Sequence, residues 1–238
     1  MRDDVRLLRD GSAIGMRSTP VVPVVDTAEL RWFVHGHAPA DIVTWFTRDG
    51  AVGSIEERHD TYRLDGRPAA GIKCRHGETF ELKIRRGVGD PVALTPGLIT
   101  PVEHWRRWSP ATDLIERYED ESWIDVHKAV VKRRFALDGT ELHVSPELPG
   151  PGACDIEVVA ISVGHVRAWS FALASFGQPA ILVPALSIGW DALVANSGQP
   201  DLSIPSESGC GYPAWLARFA TRDMMTSIGA DDHYVAAG

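Results

Sequence analysis

Ile124-Asp125-Val126-His127-Lys128-Ala129-Val130-Val131-Lys132-Arg133-Arg134-Phe135-Ala136-Leu137 is the stretch on which the reading of the fold turns. It is rich in β-branched residues and stops at Asp138-Gly139, a strong turn signal, so it reads as one long strand. Side chains on a strand alternate between two faces. Lys128, Val130, Lys132 and Arg134 therefore share one face, and Ala129, Val131, Arg133 and Phe135 share the other. Taken alone, such a strand describes a sheet with one wet face, whose charges solvate it and pair across strands.

The pattern recurs. On a strand over Glu29–His35, the residues Glu29, Arg31, Phe33 and His35 lie together. Lys73 and Arg75 do so on Gly71–Arg75. On Thr79–Arg85, Glu81, Lys83 and Arg85 oppose Phe80, Leu82 and Ile84. On Cys154–Ser162, Asp155 and Glu157 oppose Ile156 and Val158. Five strands thus carry two or more ionisable groups on one face. Closing the sheet into a barrel turns those faces inward, because barrel strands alternate interior and exterior residues. The expected fold class is α+β and strand-dominated: a closed antiparallel β-barrel of about eight strands with flanking helices. Many cations and few carboxylates in an enclosed space suit a polyanion, such as a phosphate-bearing small molecule accompanied by a divalent ion.

Three regions follow from the patterning: a flexible leader over 1–25, the barrel over 26–195, and a loop with a C-terminal helix packed on the barrel over 196–238. Within the barrel, His59–Leu64 reads as a strand, and Pro39-Ala40-Asp41 opens a short helix with Ile42, Trp45 and Phe46 on one face. Val102–Trp108 fits a strand or a helix, and Thr112–Trp123 a helix or a loop. Arg86-Gly87 reads as a turn, and Thr140–Ser145 as a strand. His165–Phe176 places Val166, Trp169, Leu173 and Phe176 on one helical face before Gly177 and Pro179, which predicts a helix. Ala180–Leu186 reads as a last apolar strand, and Pro213–Met225 as a terminal helix.

Composition bounds the function. The 238 residues carry 24 Lys and Arg against 32 Asp and Glu, a net charge of −8. A binder of nucleic-acid backbone would show a basic excess, so no nucleic-acid partner is expected. No apolar run approaches the roughly 18 residues that span a bilayer, and Met1-Arg2-Asp3-Asp4 leads into no signal core, so neither a membrane partner nor secretion is expected. Three cysteines (Cys74, Cys154, Cys210) form no close pair, which excludes a disulfide framework and a cysteine-based zinc cluster. The expectation is a soluble, reduced, cytoplasmic protein with an anionic small-molecule substrate.

The order of elements resembles the CYTH superfamily, the triphosphate tunnel metalloenzymes. Ile72-Lys73-Cys74-Arg75 is similar to that family's first basic strand and Glu81-Leu82-Lys83 to its second. Lys128 to Arg134 resembles the next, Asp155-Ile156-Glu157 the late acidic pair, and Asp60-Thr61-Tyr62 the Tyr/Asp-bearing second strand. The likeness covers about residues 28–190, and Arg31-Trp32-Phe33 is similar to the opening of a CYTH-like subgroup. It implies an eight-stranded tunnel acting on a tri- or polyphosphate with Mg²⁺ or Mn²⁺. Lys73, Arg75, Lys83, Arg85, Lys128, Lys132 and Arg134 would then clamp phosphates, and Glu29, Asp155 and Glu157 would hold the metal. Glu29, Arg31, His35, Glu81 and Glu157 are the candidate catalytic groups.

The opening motif departs from the family's Glu-x-Glu-x-Lys. Arg31 stands in place of the second Glu and Phe33 in place of the Lys, and a guanidinium opposes binding of a hard cation. A site without metal is therefore equally compatible. Three readings follow: a metal-assisted phosphohydrolase, a metal-free tunnel enzyme of cyclase, lyase or isomerase type on another small molecule, and a non-catalytic polyanion-binding module. Arg31, two residues from Glu29 on the same face, is expected to pair with it. His35 and His143 are possible acid–base groups, though an ordinary polar role is the commoner fate of such histidines. Cys74 and Cys154, pointing away from the charged faces, are expected to be buried thiols. Trp32 and Trp169 are expected in the core.

Overall fold

A computed structural model describes residues 24–48, 55–76, 79–95, 97–109, 123–145, 150–202, 204–205 and 208–219. Residues 1–23 of the expected leader over 1–25, most of Thr112–Trp123 and the end of the predicted terminal helix lie outside them, while Val24 and Val25, assigned to that leader, begin the first strand.

The strands are β1 (Val24–His35), β2 (Glu56–Arg63), β3 (Ala70–Arg75), β4 (Thr79–Thr95), β5 (Leu98–Trp108), β6 (Trp123–Ala136), β7 (Glu141–Leu142), β8 (Gly152–Val163) and β9 (Val166–Gly177). Among the described residues, three α-helices accompany them: α1 (Ala40–Phe46), α2 (Leu182–Ser197) and α3 (Tyr212–Leu216). The sheet runs β2-β3-β4-β5-β1-β9-β8-β6, and β2 pairs with β6 to close it. Every pairing is antiparallel, so the eight strands form a closed barrel, with β7 appended outside on β6.

β6 obeys the expected alternation. Val130, Lys132 and Arg134 line the interior, while Val131 and Phe135 join a core between the barrel wall and the helices. Arg133, on the outer face, is also buried. Its guanidinium donates to both oxygens of Glu141 at 2.6 and 2.5 Å and to Ser197 Oγ at 2.5 Å, which ties β6 to β7 and α2.

Two elements reverse the expectation. His165–Phe176, read as a helix, is β9; Ala180–Leu186, read as a strand, is covered by a 3₁₀ turn (Pro179–Ile181) and the start of α2. The reason lies in side-chain size. β9 is buried on both faces, so polarity does not alternate along it; bulk does. Trp169, Phe171 and Leu173 face the outer core, while Ala172 and Ala174 point inward beside Ser170 and leave lumen space. A run apolar at almost every position also satisfies a helical period. In α2, Leu182, Leu186, Trp190 and Leu193 are buried at helical spacing. Pro179–Ser197 has the length and apolar composition of a membrane span, yet those four side chains pack into the outer core with Trp32, Ile156 and Phe171. Trp32 and Trp169 are core residues, and Cys74 and Cys154 are buried thiols, as expected.

Smaller differences follow from local backbone. Val102–Trp108 lies within β5. Arg86-Gly87 is no turn but sits inside β4, where the register with β5 shifts between Arg85 and Gly87, the signature of a bulge. The expected strand Thr140–Ser145 shrinks to the two residues of β7.

Gly189 in α2 is where helix and barrel meet most closely. A Cβ there would stand 2.7 Å from Cys154 Cβ and 2.8 Å from its Sγ. Alanine in place of glycine favours a helix by about 0.8–1 kcal/mol, while overpacking costs roughly 1–3 kcal/mol. Gly189→Ala is therefore expected to lower the urea midpoint despite the gain in helix propensity. An unchanged or higher midpoint would show that α2 can slide on the barrel.

β1 explains how the C-terminal segment reaches the interior. Its first half pairs with β5 only as far as Glu29. Beyond that, Trp32 forms a bridge with Gly209, and Cys210 N–H donates to Arg31 O at 2.9 Å. The segment then enters α3, which sets Tyr212 and Trp215 across one end of the barrel. Phe33 stacks on Trp215 with ring centroids 4.6 Å apart and meets Tyr212 edge-on at 4.9 Å. Ile161, Val163 and Leu216 complete this inner apolar plug.

Candidate functional site

Above the plug the barrel encloses a cavity of about 550 Å³. Inward positions of all eight barrel strands except β5 supply several side chains each; β5 supplies Arg107. Nine cationic side chains line the cavity, Arg31, Arg58, Lys73, Arg75, Lys83, Arg107, Lys128, Lys132 and Arg134, against five carboxylates, Glu29, Glu56, Glu81, Asp155 and Glu157. A chain with net charge −8 thus segregates a positive excess into its interior, where low dielectric strengthens each charge.

The pairs are ordered around the wall. Glu29 receives both its oxygens' contacts from Lys83 Nζ, at 2.5 and 2.6 Å, and a bond from Thr27 Oγ1 at 2.8 Å. Burial alone would raise its pKa, but Lys83 and Arg31 overcome this and hold it below the usual range. Arg31 shares this inward face but does not contact Glu29 as expected. It reaches across β9 to Glu157 at 3.3 Å and donates to Ser170 Oγ at 3.1 Å, because Lys83 already occupies Glu29. Glu157 also meets Lys132 at 2.8 Å, and the surrounding cations hold it well below the usual carboxylate range despite burial. Asp155 takes a two-pronged contact from Arg134, at 2.6 and 2.9 Å, and lies 3.3 Å from Lys132. Glu81 lies 3.0 Å from Lys73 and 3.8 Å from Arg107. Burial opposes its ionisation, yet these cations bring its pKa down to about 2.

At the base of the cavity sits Lys128. Its Nζ donates to Asp60 Oδ2 at 2.6 Å and to Tyr62 Oη at 2.5 Å. It lies 4.6 Å from the centre of the Tyr62 ring and 4.3 Å from that of Tyr212. Arg31 lies over the same Tyr212 ring at 4.9 Å. Burial pushes the Lys128 ammonium down to about 7, Asp60 opposing the shift. Asp60 is fully buried; Lys128, Lys73 and Arg75 outweigh its desolvation and bring it to about 2.

Of the residues singled out in the sequence, Glu29, Arg31, Lys73, Arg75, Glu81, Lys83, Lys128, Lys132, Arg134, Asp155 and Glu157 share this cavity. Two stand apart. His35, at the exposed end of β1, does not line it, and neither does exposed His143. Arg85 follows Lys83 on the same face but lies past the cavity, held by Glu103 at 2.5 Å. Sequence reading missed Arg58, Arg107 and Tyr212. Arg58 carried a signal, since Glu56, Arg58, Asp60 and Tyr62 alternate on β2. Tyr212 carried none, because it reaches the lumen from a loop-borne turn of helix.

The metal ligands implied by resemblance do not fit. Asp155 and Glu157 are bridged by Lys132, and Glu29 is enclosed by Lys83 and Thr27. Among the described residues, no three His, Cys, Asp or Glu side chains group so as to hold a metal ion. Arg75 Nε and Arg107 Nε are buried without a hydrogen-bond partner.

Lys128 makes binding sensitive to pH. Below about 7 its amine takes up a proton and adds a positive charge to the lumen. Sulfate, whose charge is constant here, is therefore expected to bind more tightly as pH falls through 7. One added charge-assisted bond corresponds to roughly tenfold in affinity. Calorimetry across this range should show the inflection, and Lys128→Met should lack it; a flat wild-type profile would refute the assignment.

Comparison of the sequence with protein-family models finds no matching family, and comparison with curated proteins finds no match.

Proposed function

We propose that this chain binds a compact phosphate-bearing polyanion inside its barrel, through protein cations rather than through a resident metal. The observation that carries the reading is the lumen's excess of cations, nine against six carboxylates once Asp60, the buried partner of Lys128 and Arg75, is counted with the five that line the cavity. Ion pairs already neutralise each carboxylate, so the excess is left for a ligand. The buried Arg75 Nε and Arg107 Nε support it further. An unmade buried hydrogen bond costs roughly 1–3 kcal/mol, and a phosphate oxygen satisfies such donors with good geometry.

The resemblance to triphosphate tunnel enzymes agrees with this ligand class, while the paired carboxylates speak against the divalent-ion site that goes with it. Inorganic tripolyphosphate titrated calorimetrically in EDTA is the test. Binding that weakens steeply with salt is expected. Binding seen only with Mn²⁺ would overturn the metal-free reading. Phosphate release followed in the same samples separates a phosphohydrolase from a binding module, and release that requires Mg²⁺ or Mn²⁺ would restore the metal-assisted hydrolase.

A further inference from the structure

Lys128 has different neighbours from the other lysines of the lumen. Lys73, Lys83 and Lys132 face the carboxylates of Glu81, Glu29, Asp155 and Glu157. Lys128, 5% exposed, instead has the rings of Tyr62 and Tyr212 and the Tyr62 hydroxyl about its Nζ, and it lines the cavity. Its single carboxylate partner is shared: Asp60 Oδ1 lies 3.6 Å from Arg75. An anion bound among the arginines would sit next to an amine oriented by a hydroxyl.

We propose that Lys128 is a nucleophilic amine that condenses with the carbonyl carbon of a phosphate-bearing aldehyde or ketone held in the lumen. The phosphate part of this rests on the polyanion reading above; the amine chemistry does not. Nζ attacks the carbonyl carbon, forming a C–N bond while one N–H proton passes to the oxygen. The resulting carbinolamine loses its C–O bond, and the second N–H proton leaves with that oxygen as water. The product is an imine, with nothing oxidised or reduced. Tyr62 Oη, 2.5 Å from Nζ, is placed to carry the proton from nitrogen to oxygen. Its phenol is held protonated by burial, with Asp60 adding to the effect. Burial also keeps a large share of Lys128 as the free amine near neutral pH, the form that attacks.

The test is labelling with pyridoxal phosphate at neutral pH, borohydride reduction, and peptide mass mapping. Glu157 and Asp155 hold Lys132 above the ordinary lysine range despite burial, so the reduced adduct is expected on Lys128 at roughly tenfold or more over Lys132. Tripolyphosphate should suppress it, and Tyr62→Phe should slow it. Adduct concentrated on another lumen lysine, or none at all, overturns the proposal. Pyridoxal without phosphate separates the two readings. If it labels Lys128 as readily as the phosphate ester does, and tripolyphosphate neither binds nor protects, the amine stands and the polyanion reading falls. If tripolyphosphate binds by calorimetry and Lys128 stays unmodified, the amine falls alone.

Discussion

Asp60→Asn is expected to destabilise the fold by about 3–5 kcal/mol, the range for removing one partner of a buried ion pair. Asp60 is fully buried, with Lys128 Nζ 2.6 Å from one oxygen and Arg75 Nε 3.6 Å from the other. An amide leaves both cations in the lumen without their counter-charge. Urea unfolding monitors the loss, and a variant as stable as wild type would show that Asp60 does not compensate them. The acid limb of stability should carry the same signature. With its folded pKa near 2 against an ordinary 3.8, Asp60 contributes stability that is present above 3.8 and lost as pH falls through 2. Lys128 acts in the same direction at higher pH. Its folded pKa near 7 lies below the ordinary 10.5, so its burial penalty is full below 7 and is relieved as pH rises toward 10.5. Tripolyphosphate should restore Asp60→Asn more than it stabilises wild type, since a bound anion replaces the missing charge.

The barrel was legible where polarity alternated. β3, the start of β4, β6 and β8 each place charges on every second residue, and those faces do turn inward. It was illegible where only size alternated. β9 keeps Ala172 and Ala174 inside and Trp169, Phe171 and Leu173 outside, and a hydrophobicity pattern does not register that difference. The candidate site divides in the same way. Shared faces bring Glu29, Lys83, Lys132 and Glu157 into one lumen, but partner choice is set across strands. Register places Ala172 between Arg31 and Glu157 on neighbouring strands, and that small side chain lets the guanidinium cross to the carboxylate. Nothing within β1 encodes this, so the local reading joined Arg31 to Glu29. Arg85 shows the opposite limit. It has the right face but the wrong height, and height depends on where the α3 plug ends the cavity.

Glu157 decides between the two ways such a lumen can hold phosphate. If protein cations do the binding, Glu157→Gln frees Arg31 and Lys132 from a carboxylate 3.3 and 2.8 Å away and removes a negative charge from the lumen. Tripolyphosphate affinity in EDTA should then rise about tenfold or more, since a charge-assisted hydrogen bond contributes roughly 1.5–3 kcal/mol. Lys132→Met should lower it by a similar factor. In Glu157→Gln, Lys132 keeps Asp155 at 3.3 Å, and in Lys132→Met, Asp155 keeps Arg134 at 2.6 Å; Arg31, left with only the neutral Ser170 Oγ at 3.1 Å, is the cation freed for a ligand. A divalent-ion site predicts the reverse for Glu157, because removing an oxygen ligand weakens the metal and whatever phosphate it carries. Calorimetry of the two variants, with EDTA and with Mn²⁺, therefore reads the sign of the effect. Opposite shifts for Glu157→Gln and Lys132→Met support cation-held phosphate, and a loss in both refutes it.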